Sequence, residues 1–100
     1  MENIVTIIQN WFMEQCDGDW EHSYTIKIAT LDNPGWSVAI DIAETTTPAD
    51  DYPFTRVEVT EDDWYTIRIQ NQQFKGSGDP SKLEFLLYKF KEMVIDAGTN

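Results

Sequence analysis

The densest run of chemically capable side chains is Cys16-Asp17-Gly18-Asp19-Trp20-Glu21-His22. Thiolate, imidazole and carboxylate are all metal ligands. Asp-Gly-Asp looks like the opening of a calcium loop, but the twelve-residue spacing and the closing bidentate Glu are missing. Cys16 with His22 as its base would make a nucleophile pair. A reactive thiol needs a positive neighbour or a helix N-terminus, and Cys16 falls at the end of a helical pattern among carboxylates. Apolar packing is its expected role. His22 is the only histidine, so a Ser-His-Asp arrangement would have to run through it, and no nucleophile-elbow motif accompanies it. The plainer reading is a helix C-terminus followed by a tight, hydrogen-bonded turn into a strand. No catalytic residue, metal or other cofactor is expected. A small metal- or thiol-dependent enzyme centred on Cys16–His22 stands as the alternative.

Other constellations are weaker. Asp50-Asp51 and Asp62-Asp63 are adjacent carboxylates, but acid–base work needs a buried site that separates their pKa values, and turn acids are solvated. Gly76-Ser77-Gly78 lacks the lysine and the spacing of a phosphate-binding loop and reads as a flexible break. Trp64 shares strand parity with Thr66 and Arg68, away from the apolar face. An aromatic ring beside Arg and carboxylates on an open sheet is either an interface anchor or a ring folded over its own strand end.

These side chains must be positioned by a few regular elements. Ile4, Ile7, Ile8, Trp11 and Phe12 recur at helical spacing, with Asn3 as N-cap and Asp17-Gly18 as the stop. Alternation follows: Tyr24, Ile26 and Ile28, then Trp36, Val38, Ile40 and Ile42. The two runs form a hairpin through Asn33-Pro34-Gly35-Trp36, which suits a type II turn. Glu44–Pro53 reads as a long loop. A third strand, Phe54–Thr60, points Val57 and Val59 inward, and Glu61-Asp62-Asp63 makes an acidic turn. A fourth strand, Trp64–Gln70, turns Tyr65, Ile67 and Ile69 inward. Asp79-Pro80-Ser81 starts a last helix with the stripe Leu83, Leu86, Leu87, Phe90, Met93 and Val94, ended by Gly98. The expected fold is α+β over residues 1–100 as a single domain: helix, four-stranded antiparallel meander, helix. Both helices pack on one sheet face. The open face would show Lys27, Asp41, Arg56, Glu58, Trp64 and Arg68.

Charge narrows the function classes. Eighteen acids oppose seven bases, for a net −11, which repels nucleic acid and anionic membranes at long range. Residues 1–63 hold fourteen acids against Lys27 and Arg56, a net −12, and the remainder carries +1. In a meander, alternate connections share one end of the sheet. Asp17, Asp19, Glu21, Glu44, Asp50 and Asp51 should therefore gather at one end, opposed there only by Lys75. A lone cysteine fits a reducing compartment. The N-terminal residues lack the basic region of a signal peptide, and no apolar run approaches the roughly 20 residues of a membrane span. A cytoplasmic protein is expected.

The run Gln15-Cys16-Asp17-Gly18-Asp19-Trp20-Glu21-His22-Ser23-Tyr24 resembles the bacterial immunity protein 53 family. So do Thr30-Leu31-Asp32-Asn33-Pro34-Gly35-Trp36, Ile40-Asp41, and the Gly76, Gly78, Leu83, Leu86, Leu87 pattern. The resemblance spans about Trp11 to Phe90. It implies a short cytoplasmic protein, encoded beside a polymorphic toxin, that neutralises its cognate toxin domain by binding it. A toxin with a basic surface, such as a nuclease, would suit the acids. The expected contact is Asp17, Asp19, Glu21, Glu44, Asp50 and Asp51, with Trp64 and Arg68 on the adjoining face. Neither nucleic acid nor a membrane is an expected partner. Oligomeric state stays open, with self-association through the open face or an edge strand as a further alternative.

Overall fold

In the computed structural model, which describes residues 3–98, the first helix starts as its sequence predicts. The Asn3 side-chain oxygen accepts from the N–H groups of Val5 and Thr6. Helix α1 (Ile4–Gln15) is followed by the single-turn α2 (Trp20–Ser23) and by strands β1 (Ile26–Leu31), β2 (Gly35–Asp41), β3 (Tyr52–Thr60), β4 (Asp63–Gln70) and β5 (Gln73–Gly78). Helix α3 (Leu83–Phe90) runs on through a π-helical turn, Lys91–Ile95. The fold is α+β, and α1 and α3 cover the same face of an antiparallel sheet.

The sheet has five strands in the order β1-β2-β5-β4-β3, not the four of a simple meander. The segment expected to be a flexible break is its central strand. Asn71 and Gln72 both adopt positive φ, 53° and 58°, and make the two-residue turn whose twist suits a hairpin. The chain then returns between β2 and β4, pairing with both. Gly76 and Gly78 hide the strand because they lack the side chains that mark one. Their role is steric. A Cβ on Gly76 would lie 3.0 Å from Leu86 Cδ2, and one on Gly78 would lie 2.7 Å from Lys82 Cβ. With only hydrogens there, α3 settles directly onto the backbone of β5.

The β1–β2 hairpin is present, but its turn differs from expectation. Gly35 is not at positive φ. It is the first residue of β2, paired with Leu31, and a Cβ on it would run into the carbonyl of Gly78. Close approach of the two chains, rather than turn geometry, requires glycine there. On β3, Val57 and Val59 are 37% and 71% exposed rather than buried. β3 is an edge strand, its register shifts at both ends, and no helix lies above it. Bulges and the charged Arg56–Glu58 pair blunt this edge against pairing with other chains. Helix α3 begins at Leu83, later than expected.

The core joins Val38, Ile40, Ile67, Ile69 and Phe74 of the sheet to Leu86, Leu87, Phe90 and Val94, and to Ile4, Ile8, Trp11 and Trp20. Phe90 meets Trp11 edge-on at 5.0 Å and Phe74 at 5.4 Å. The Trp11 indole donates to Thr47 Oγ1 at 2.9 Å, which holds the long loop against α1. Among the described residues, no helix is long and apolar enough to cross a membrane.

Two substitutions test this account. Gly78→Ala pushes a methyl into Lys82 and should cost about 1–3 kcal/mol in urea unfolding, whereas a loose linker would tolerate it within about 0.5 kcal/mol. Thr47→Val leaves the buried Trp11 N–H without an acceptor, and the same assay should show a loss of about 1–3 kcal/mol.

Candidate functional site

The Cys16–His22 segment is built around Trp20. Asp17 Oδ1 accepts the N–H groups of Asp19 and Trp20 at 2.9 and 3.0 Å. Glu21 reaches back to the N–H groups of Asp17 and Gly18 at 3.0 and 2.9 Å. This reciprocal pairing has the logic of a capping box. Gly18, at φ +97°, supplies the backbone shape the turn needs. The result drives Trp20 into the core at 3% exposure, its indole donating to the Ala43 carbonyl at 2.9 Å. The Trp20 and Asp19 N–H groups hold the Asp17 carboxyl below the usual carboxylate range. The Glu21 carboxyl is likewise lowered, by its own N–H and then those of Asp17 and Gly18. The hydrogen-bonded turn expected from the sequence forms at Asp17–Trp20, but it leads into an unexpected helical turn, α2, rather than directly into β1.

Cys16 departs from its expected packing role. It is exposed, because α1 ends just before it and turns its side chain outside the apolar stripe. Its thiol bonds to the Phe12 carbonyl. Partial desolvation, then the charges of Glu21 and Asp17, push its pKa up, the direction that lowers thiolate content. Among the described residues, no group of three or more His, Cys, Asp or Glu is placed to hold a metal ion.

The six acids expected at one end of the sheet do come to one end. α2 leads into β1, Glu44 follows β2, and Asp50 and Asp51 precede β3, all at the end where β4 turns into β5. They are not equivalent. Asp17 and Glu21 are committed to their own backbone. Glu44, at φ 56°, bonds to Tyr24, and its charge raises the phenol's pKa. Asp19, Asp50 and Asp51 are exposed and free of ion pairs among the described residues. Asp50 and Asp51 line a hollow with Pro48, Tyr52 and Met93. Lys75 does not oppose these acids at the end, since it lies within β5.

The open face carries Lys27, Asp41, Arg56, Glu58, Trp64 and Arg68 as expected, to which β5 adds Lys75 and Ser77. Arg56 stacks over Trp64 at 5.0 Å and pairs with Glu58 at 2.6 Å, so Trp64 is a half-buried ring under a guanidinium. Arg68 lines one hollow with Ser37, Phe54, Thr66, Lys75 and Ser77 and another with Asp51 and Tyr52. It therefore stands between the open face and the acidic end. The sequence puts Lys75 at the acidic end and Ser77 in a break rather than on this face, because their strand escapes sequence reasoning. The signal was present in the alternation of Phe74, Gly76 and Gly78 with Gln73, Lys75 and Ser77.

The opposite end holds a buried ion cluster. Asp79, 1% exposed, accepts the Trp64 N–H and the Lys82 ammonium on one oxygen and the Ser81 N–H and hydroxyl on the other. Lys82 also bonds Asp63 at 2.7 Å. Lys82, then Ser81, hold the Asp79 carboxyl far below the usual range. Asp63, then Asp79, raise the Lys82 pKa. This cluster fixes the start of α3 against β4 and leaves no side-chain oxygen of Asp79 for a ligand.

The whole arrangement is suited to contact by charge. It combines an acidic end with free carboxylates and an adjoining sheet face with exposed cations, hydroxyls and two aromatic rings. A family model, Immunity protein 53, matches residues 5–95 of the chain. No curated protein and no solved structure gives a significant match.

The carboxyls lowered in the folded state, Asp79, Asp17 and Glu21, set a pH dependence. Unfolded, they titrate near their ordinary values of 3.8 and 4.5. Below those values the unfolded chain binds more protons than the folded one. Stability is therefore fully present above that range and is lost as pH falls through the folded values. Urea midpoints taken from pH 7 downward should hold to about pH 5 and then fall. Asp79→Asn should lower the midpoint at pH 7 and flatten the acid limb. An unchanged limb would remove Asp79 from the account.

Proposed function

The chain belongs to the immunity protein 53 family, and from that membership we propose that it protects the cell producing it by binding a cognate toxin domain and covering the active site. The observation carrying this reading is the family match, which extends across α1, the whole sheet and α3. The charge layout supports it. A toxin that acts on nucleic acid must present a basic surface to attract phosphate, and the free carboxylates of Asp19, Asp50 and Asp51 complement such a surface. Long-range attraction of this kind raises the association rate, up to about 10⁸–10⁹ M⁻¹s⁻¹ at low salt. Exposed rings at the rim, Phe54 and Tyr52 (62% and 42% exposed), supply apolar area that slows dissociation.

The contact is proposed to run from the acidic end across the neighbouring rim to Trp64 and Arg68. Within it, Asp17, Glu21 and Glu44 shape the surface, while Asp19, Asp50 and Asp51 supply unpaired charge. The proposed site of action is the cytoplasm, where a toxin that acts on nucleic acid would have to be met.

The test separates charge from fold. Asp19, Asp50 and Asp51, replaced together by Lys, should leave the melting temperature nearly unchanged. Association with the product of the neighbouring toxin gene should slow by about tenfold or more at low salt, with loss of protection on co-expression. Full protection and unchanged kinetics in this variant would show that the acidic end is not the contact. Protection without any direct binding would replace occlusion with enzymatic detoxification.

A further inference from the structure

We propose that the open face of the sheet is a carboxylate-binding surface on which Lys27, Lys75 and Arg68 receive an acidic segment of the partner protein. This rests on the reading of the chain as a toxin-binding protein, but it assigns the opposite chemistry to a second part of the contact.

The strand register aligns the three cations. Lys27 pairs with Ala39, Ala39 with Lys75, and Lys75 with Arg68, so they form one row across β1, β2, β5 and β4. The next row is Ala29, Ser37, Ser77, Thr66 and Arg56. Ala39, Ala29, Ser37 and Ser77 make a low floor, so an approaching chain can come close to the sheet between the long cationic side chains. Between the rows lies a hollow of about 270 Å³, walled by Phe54 and lined by Ser37, Thr66, Arg68, Lys75 and Ser77. The Thr66 and Ser77 hydroxyls bond to each other, which leaves the Arg68 guanidinium, the Lys75 ammonium and the Ser37 hydroxyl around one hollow, donors that a carboxylate needs.

The pairing of charge elsewhere makes the row distinctive. Of seven basic side chains, Arg56 is paired with Glu58, Lys82 with Asp63 and Asp79, Lys89 with Glu92, and Lys91 with Asp96. Among the described residues, the three cations without an ion pair are the three in this row. The acids of the same face are occupied: Asp41 accepts the Thr25 N–H and the Gln73 amide, and Glu58 holds Arg56. Lys75 and Arg68 stand directly opposite each other on neighbouring antiparallel strands, a like-charge placement that destabilises the free protein. An incoming carboxylate relieves it. Nucleic acid is the less suited anion. A nucleic acid long enough to run past the row would meet the repulsion of a chain carrying −11, whereas a short acidic segment meets the three cations alone.

Three measurements on the full chain decide this. First, Lys75→Gln should raise the melting temperature by about 1–4 °C, through relief of cross-strand repulsion. Second, Lys27→Gln/Arg68→Gln/Lys75→Gln should bind the cognate toxin about tenfold or more weakly, with loss arising at a different set of toxin residues than for the Asp19/Asp50/Asp51 variant. Third, hexaglutamate titrated into the isolated protein should shift the amide resonances of Ala39, Lys75, Ser77 and Thr66, and added salt should reverse the shift. Toxin binding unchanged in the triple variant overturns the inference and leaves the toxin-binding reading standing. A wild-type chain that binds no toxin, yet shows the hexaglutamate shifts, sinks that reading and keeps the carboxylate surface. A thymidine oligonucleotide shifting those amides where hexaglutamate does not would give the face to nucleic acid and overturn the proposal.

Discussion

The close approach of α3 to the central strand governs the rest of the molecule. β5 offers the helix two glycines on its inner face, and Leu86 and Lys82 occupy the space that side chains at 76 and 78 would fill. Phe74, between that seat and the β4–β5 turn, packs on Phe90, which in turn carries Trp11. Through Trp11 and Thr47 the long loop is tied down, and through Trp20 and Ala43 the acidic turn is tied to the same loop. A lift of α3 by the width of one methyl would be felt along this whole chain of contacts, since close-packed interiors transmit strain.

The same approach explains the buried ion cluster. With Lys82 pressed on Gly78, its ammonium can reach Asp79 and Asp63 together. Asp79, almost fully buried, has each carboxylate oxygen bonded, which is the condition under which a buried charge is tolerated. Among the described residues, the other end of the sheet has no such cluster. Its acids are held by local N–H donors, by the Tyr24 hydroxyl in the case of Glu44, or left to solvent, so one end is a structural joint and the other is the exposed charged surface.

Much of this is legible in the sequence. The stripe of α1, the alternation in β1, β2 and β4, the cap at Asn3 and the stripe of α3 follow from periodicity, and the grouping of six acids follows from chain order. What was hidden has a common physical origin in glycine. Gly76 and Gly78 carry no apolar side chain, so a central strand looked like a linker, and Gly35 looked like a turn residue when its constraint was a carbonyl from a strand far along the chain. Val57 and Val59 misled in the opposite sense: strand patterning cannot say whether a helix will cover that edge. Cys16 shows the same limit at a helix end, where one residue decides between stripe and solvent. Because β5 reads as a break, Lys75 and Ser77 are not assigned to the open face, and its character goes unseen with them.

Net charge is therefore a poor summary of this surface. Eleven excess negative charges would let every base find an acid, and among the described residues four of the seven do. Stability alone gives no reason to leave the other three unpaired, and still less to set two of them opposite each other across β4 and β5. Of the flanking acids, Asp41 is held by Gln73 and Thr25 and Glu58 by Arg56, while Asp51 shares a hollow with Arg68 without pairing to it. Placing an uncompensated row of cations beside an uncompensated group of acids gives a contact with two signs. A surface of one sign attracts any opposite charge, whereas a two-signed one must be matched in position as well as in charge. The wrong partner then brings like charges together and is rejected.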